Sequence, residues 1–204
     1  TDDIEIDTDL FCKLLAPENY SIKGDESANY TKDGSQIKFE ITSDDTKYSI
    51  GRMVSKKKDV DIANVKEDNG TLNLPKDLVP GKYQFIFTND KYADLNFTAV
   101  INSNLNAEQF HFENNALKLD ENEAGLTVKD YISAITYAKV NDTEYKGGKG
   151  RKFGKVAFNE DGSINLDAKY SSDGKDEPVF AEAGTYTVVL KADGYPDLTI
   201  EVTK

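Results

Sequence analysis

Residues 80–101, PGKYQFIFTNDKYADLNFTAVI, recur 103 positions later as residues 183–204, AGTYTVVLKADGYPDLTIEVTK. Each copy alternates apolar and polar residues on both sides of a short polar interval. This alternation is typical of two half-buried strands joined by a turn, so the repeat predicts two equivalent β-hairpins. The identical positions pair Gly81 with Gly184, Tyr83 with Tyr186, Asp90 with Asp193, Tyr92 with Tyr195, Asp94 with Asp197 and Leu95 with Leu198.

The same alternation predicts further strands, and a second correspondence links the halves. Asn69-Gly70 and Asp161-Gly162 are typical hairpin turns, and each is followed by a strand pattern. They lie 92 rather than 103 positions apart, so the second half carries about eleven additional residues near 169–182. The predicted strands cover residues 35–42, 47–54, 71–74, 135–141, 156–158 and 163–166.

Helix signals are few. Apolar spacing predicts a short helix within 126–135, and a second candidate is 8–16, which Pro17 would end. The Gly- and Lys-rich stretch 146–154 is typical of a flexible loop, and the Asn-rich stretch 101–109 of a short linker that restrains motion. We therefore expect an all-β protein: tandem Ig-like β-sandwich domains at 1–103 and 104–204, with one short helix in at least the second.

Composition argues against several functional classes. The net charge is −12 and is shared between the halves, with 19 acids against 13 bases in residues 1–103 and 18 against 12 in 104–204. Nucleic-acid binding rests on cationic contacts, so nucleic acid is an unfavourable partner. No segment approaches the about 18 apolar residues of a membrane span, so we expect no membrane insertion.

The residues offer little for catalysis or metal binding. The only histidine, His111, alternates with Phe110 and Phe112, which predicts an exposed or edge position. The only cysteine, Cys12, is expected to be a small buried apolar residue. Nucleophile-elbow, phosphate-loop and zinc-protease motifs are absent, so we expect no enzyme activity. Asp7 with Asp9 and Asp59 with Asp61 have same-face spacing but no calcium-loop pattern, so we expect no metal.

Two features favour protein binding. A basic cluster contains Lys149, Arg151 and Lys152, which can contact an acidic partner. The chain also has eleven tyrosines, some at matched positions. We expect these tyrosines to have buried rings whose hydroxyls form local hydrogen bonds. The alternatives are that they ligate haem or that they form an exposed protein-binding face. We expect no bound cofactor. The candidate binding residues are Tyr145, Lys149, Arg151, Lys152 and Tyr195.

The second half carries a family signature. Tyr131-Ile132, Val140-Asn141 and Tyr145 precede the Asp161-Gly162 turn, and Ala192-Asp193-Gly194-Tyr195-Pro196-Asp197 follows it. This pattern resembles the haemoglobin-interacting (haem-uptake receptor-like) domain family of Gram-positive surface proteins, over about residues 110–204. Asp142 stands where the family often has glycine, and Lys91 replaces Gly194 in the first half.

The resemblance implies a function. It implies a β-sandwich module that is extracellular, lies on the cell surface and contacts a host or surface protein, with haemoglobin as one possible partner. The chain begins TDDIEID without a methionine, and we expect it to be a fragment of a larger surface protein. The alternatives are a structural stalk or spacer and a carbohydrate-binding module, which differ in whether aromatic side chains are exposed.

Overall fold

The computed structural model describes residues 13–146, 148–172 and 174–204, and these residues are mostly β-structure. Buried apolar side chains form two clusters, one drawn from Ile37 to Ile101 and the other from Phe110 to Val202. The all-β class is confirmed. The two clusters accord with a division into residues 1–103 and 104–204, which stays a prediction.

Two sheets pack face to face in the first part of the chain. One has the order β1-β3-β7-β6 and the other β2-β9-β8-β4-β5, and only the β2–β9 pair is parallel. Phe39 of β3 and Phe87 of β8 place their ring centroids 4.7 Å apart between the sheets, as in a β-sandwich. The strands are β1 (Ser21–Gly24), β2 (Ser27–Asn29), β3 (Gln36–Thr42), β4 (Ser49–Ser55), β5 (Lys58–Val60), β6 (Lys66–Asp68), β7 (Thr71–Asn73), β8 (Gly81–Thr88) and β9 (Leu95–Asn102).

A four-stranded antiparallel sheet, β13-β12-β16-β17, organises the second part. Two helices and two two-stranded ribbons, β10-β11 and β14-β15, accompany it. The elements are a 3-10 helix (Ala107–Gln109), β10 (Phe110–Glu113), β11 (Ala116–Leu119), α1 (Val128–Ala134), β12 (Ile135–Val140), β13 (Thr143–Lys146), α2 (Gly148–Ala157), β14 (Lys169–Ser172), β15 (Lys175–Pro178), β16 (Thr185–Ala192) and β17 (Leu198–Thr203).

The two repeated segments form hairpins of identical register. Phe85 pairs with Phe97 in the first hairpin, and Val188 pairs with Ile200 at the positions 103 residues later. The matched tyrosines repeat a hydrogen bond as well: Tyr83 Oη donates to the carbonyl of Val79 at 2.6 Å, and Tyr186 Oη to that of Glu182 at 2.8 Å. The repeat in sequence is therefore a repeat of backbone pairing and of side-chain support.

Helix α1 forms where the spacing predicted it. Thr127 and Asp130 make a capping box, in which the Asp130 carboxylate accepts from the Thr127 amide at 2.8 Å and Thr127 Oγ1 accepts from the Asp130 amide at 3.4 Å. Tyr131 and Ile132 then face the core. The cap and this apolar pair stabilise a helix of only seven residues.

Helix α2 corrects the expectation of a flexible loop over 146–154. Phe153 and Ala157 lie four residues apart on one helical face and are both fully buried. Gly154 allows α2 to approach α1, since a methyl group there would overlap the Ile132 carbonyl oxygen. Burial of the apolar face outweighs the low helix propensity of three glycines, which is why the local composition was misleading.

Three smaller expectations also need correction. In the candidate helix 8–16, the described residues 13–16 are not helical, and Leu14 forms a parallel bridge with Tyr92. Within the predicted strand 156–158, only Phe158 forms a bridge, to Ile164, because the two preceding residues end α2. The predicted linker 101–109 begins as strand β9 and ends as the 3-10 helix. Residues 8–12, including Cys12, and the Asp7/Asp9 pair lie outside the described residues.

The predicted linker region contacts the second hairpin turn directly. The Ser103 amide donates to the Gly194 carbonyl at 2.7 Å, and Ser103 is buried. The equivalent bond in the first hairpin joins the Leu14 amide to the Lys91 carbonyl at 3.0 Å. Each closing turn therefore bonds to a segment that precedes the first strand of its own part, and the second turn thereby bonds the two parts to each other.

Candidate protein-binding groove

A surface groove of about 430 Å³ lies beside the signature residues of the second part. Its walls come from the β12–β13 turn on one side and from β14, β15 and the residues after them on the other. The β14–β15 ribbon contains the additional residues that the repeat offset indicated. The groove is lined by Val140, Asn141, Asp142, Thr143, Glu144, Tyr145, Tyr170, Glu177, Pro178, Val179, Ala181 and Tyr186.

Asn141 fixes the position of the β12–β13 turn. Its backbone is left-handed, with φ of 48°, a conformation that asparagine tolerates better than most residues. The Asn141 amide donates to the Thr187 carbonyl at 2.9 Å, and Asn141 Oδ1 accepts from the Thr187 amide at 2.9 Å. The Val-Asn signature is therefore structural, and it places Asp142 and Glu144 at the edge of the groove.

The rim of the groove is acidic. Glu144 accepts from Lys146 Nζ at 2.5 Å and from Tyr137 Oη at 3.2 Å, and the Lys146 hydrogen bond lowers the pKa of the Glu144 carboxyl. Asp142 and Glu177 are exposed and form no ion pair with any residue in the described ranges. Two of the three rim carboxylates thus keep their charge available to a ligand.

Tyr145 forms part of the groove wall. It is 8% exposed, and its ring centroid lies 5.2 Å from that of Phe153 and 4.9 Å from that of Tyr170. Burial raises the pKa of its hydroxyl, with smaller contributions from Tyr170 and Glu177. Among the described residues it has no hydrogen-bond partner.

The basic candidates lie on helix α2. Lys152 is exposed on this helix, whose Phe153 packs against Tyr145. Lys149 and Arg151 belong to the same helix, but their side chains are outside the described residues. The structure therefore brings Tyr145 next to the helix that carries the three basic candidates, and their role in binding stays a prediction.

Tyr195 lies elsewhere, in the turn between β16 and β17. Its ring meets that of Tyr131 edge-on at 5.5 Å, and burial raises the pKa of its hydroxyl, with Asp130, Tyr30 and Tyr83 close enough to contribute. The Tyr195 hydroxyl is buried without a hydrogen-bond partner in the described part of the chain. Tyr195 therefore contacts the junction between the two parts rather than the groove.

Removing the hydroxyl of Tyr195 should increase stability. A buried hydroxyl without a partner has lost its hydration, so Tyr195→Phe is expected to raise the free energy of unfolding by about 1 kcal/mol. Tyr186→Phe is the matched control, because the Tyr186 hydroxyl bonds the Glu182 carbonyl and amide, and it should lower stability by about 1 kcal/mol. Urea denaturation measures both. Equal losses in the two variants would show that Tyr195 Oη has a partner in solution.

Other candidate features of the sequence do not converge on a site. His111 Nε2 lies 3.0 Å from Asp120 on a half-exposed ribbon, which agrees with the expected surface position. In the described part of the chain, no three His, Cys, Asp or Glu side chains are grouped as metal ligands. The helices within the same ranges are too short or too polar to cross a membrane.

The groove was only partly predictable. Tyr145 was a candidate from the sequence, whereas Asp142, Tyr170 and Glu177 were not. The one available signal was Asp142 itself, an acid at a position where the resembled family often has glycine. The contribution of the ribbon depends on a tertiary contact between segments that are far apart in the chain.

Comparison with known proteins bears on the second part of the chain. Residues 113–203 match the model of the family described as heme-binding protein Shr-like, Hb-interacting domain. No curated protein matches this chain in sequence. The matched range contains most of the second buried cluster and the whole groove lining.

Similar solved structures include extracellular domains 3–5 of Drosophila OTK, at 13% identity and a TM-score of 0.36, covering 94% of this chain and 67% of that one. Another is SGBP-B of the Bacteroides ovatus mixed-linkage glucan utilization locus, at 10% identity and a TM-score of 0.28. That match covers 95% of this chain and 46% of the SGBP-B chain. A third is surface layer protein SbsC, domains 6-7, at 14% identity and a TM-score of 0.27. That match covers 91% of this chain and 97% of the SbsC chain. This chain thus spans less than half of the SGBP-B chain. The resemblance found in the sequence is confirmed by this family match, which covers residues 113–203 and therefore less than half of the chain.

Proposed function

We propose that this chain is a non-enzymatic, extracellular binding module of a bacterial surface protein and that it recognises haemoglobin or a similar host protein. The observation that carries the proposal is the family match over residues 113–203. That range also contains a groove with an acidic rim and aromatic walls, features that suit recognition of another protein.

We further propose the division into residues 1–103 and 104–204, with binding assigned to the second. Two separate buried clusters support the division. The β14–β15 ribbon supports the assignment, because it is an addition to the repeated plan and it supplies one wall of the groove. The first part then holds the second in place through the Ser103–Gly194 hydrogen bond.

The spacer alternative is favoured by one specific observation. None of the eleven tyrosines is fully exposed, and Tyr83, Tyr131 and Tyr145 are in the core. A flat exposed tyrosine face, which a carbohydrate module would use for stacking, is therefore not formed by these side chains. A spacer needs no such face, so it remains the second candidate function, ahead of carbohydrate binding.

Solid-phase capture separates the three functions. The immobilised chain is exposed in turn to haemoglobin, serum albumin and a soluble β-glucan. Retention of haemoglobin without albumin is the expected result. Retention of the glucan alone would replace the proposal with carbohydrate binding, and retention of none would leave the spacer role.

A further inference from the structure

We propose that the groove defined above binds an arginine side chain presented on the surface of the partner protein. This inference rests on the proposed protein-binding function and names the chemistry by which the partner is recognised. The carboxylates of Asp142 and Glu177 lie at the rim of one groove.

The groove offers acceptors of the right kind. Asp142 and Glu177 are exposed and unpaired within the described ranges, and Glu144 completes the rim although Lys146 already bonds it. A guanidinium group has five donors and no acceptor, so carboxylates on either side of it satisfy its geometry well. Carboxylates at a rim would repel an anionic ligand. An apolar ligand would remove their water without replacing its hydrogen bonds, which costs free energy.

An independent observation points to a ligand at the same place. Tyr145 is more than nine-tenths buried and lines the groove, yet its hydroxyl has no hydrogen-bond partner among the described residues. Among the described residues only Tyr195 Oη is fully buried without a partner, so the Tyr145 hydroxyl keeps contact with the groove, where a bound donor can reach it.

The walls suit the remainder of an arginine side chain. Tyr145, Tyr170 and Tyr186 contribute aromatic surface, and Pro178 and Val179 contribute aliphatic surface. Arginine stacks on aromatic rings and packs its methylene groups on apolar surface, which a compact ammonium does less well. The volume of about 430 Å³ is within the usual range for ligand sites.

The test uses N-acetyl-arginine amide as the probe and N-acetyl-citrulline amide as its neutral counterpart of nearly equal shape. Each is titrated into the intact isotope-labelled chain, and backbone amide chemical shifts are followed by NMR. We expect the arginine probe to shift the amides of residues 140–145, Glu177 and Val179 with millimolar affinity, and the citrulline probe to shift them at least about tenfold more weakly. Equal responses to the two probes, or none in these residues, would overturn the proposal.

Matched variants localise the effect. The double variant Asp142→Asn with Glu177→Gln should weaken arginine binding at least about tenfold, and Tyr145→Phe should weaken it by a smaller factor. Glu113→Gln with Glu201→Gln removes the same charge from exposed positions outside the groove and should leave binding unchanged. Equal losses in the two double variants would show that only net charge matters, which contradicts a site.

Haemoglobin capture by the same variants separates this proposal from the proposed function. Capture that is unaffected by Asp142→Asn with Glu177→Gln, together with no response to arginine, overturns the groove but not the function. A specific arginine response in a chain that does not capture haemoglobin supports the groove and overturns haemoglobin as the partner.

Discussion

The Phe153→Ala variant is expected to lose about 4 kcal/mol of unfolding free energy. Phe153 has no exposed surface, and its ring lies among Tyr145 and Phe158 in the second buried cluster. Truncation would remove the buried ring that holds helix α2 to the core and leave a cavity beneath it. Chemical denaturation of the intact chain, followed by circular dichroism, measures the loss.

Two further variants keep this result interpretable. Lys152→Ala changes the neighbouring exposed residue of α2 and should alter stability by no more than about 0.5 kcal/mol. If Phe153→Ala does not fold, Phe153→Leu retains most of the volume and should cost about 1 kcal/mol. A loss for Phe153→Ala no larger than that of Lys152→Ala would mean that α2 does not pack on the core.

The Gly194→Ala variant is expected to lose about 3 kcal/mol, the second largest effect. Gly194 has φ of 81°, and a methyl group there would overlap the Ile101 carbonyl and approach Gly81 N to 2.8 Å. Both contacts are backbone atoms of the first part of the chain, so neither can move as a side-chain tip would. The substitution should therefore loosen the junction as well as strain the turn.

Gly125→Ala separates these two contributions. Gly125 has φ of 68° but no atom within 4 Å of the added methyl group. Gly125→Ala should therefore lose only about 1 kcal/mol of unfolding free energy, from the strained backbone conformation alone. Thermal unfolding gives the difference, and small-angle scattering reports the spacing of the two parts. Equal losses for the two glycines, with unchanged scattering, would show that Gly194 does not form the junction.

The hairpins were predictable because their signals are local. Alternation places Phe85 and Val188 on equivalent inward faces, and the identical spacing of the tyrosine and glycine positions implied one register for both. Helix α1 was predictable for the same reason, since its apolar spacing lies within one short segment. The capping box at Thr127 strengthens that signal.

Helix α2 was not predictable from its composition. Gly148, Gly150 and Gly154 indicate a loop by propensity, but Gly154 serves a close approach between helices that only the tertiary structure shows. The apolar pair Phe153 and Ala157 was a weak helical signal, and the glycines obscured it. In the same way, Asp142 and Glu177 line the groove from two segments that are distant in sequence, and no local pattern predicts such an arrangement.

Isothermal titration of haemoglobin into the intact chain tests the proposed recognition most directly. We expect a saturable heat signal with a dissociation constant in or below the micromolar range, as for interfaces of ordinary size. The response should be absent with serum albumin. No binding with haemoglobin at tens of micromolar would contradict the proposed recognition of haemoglobin.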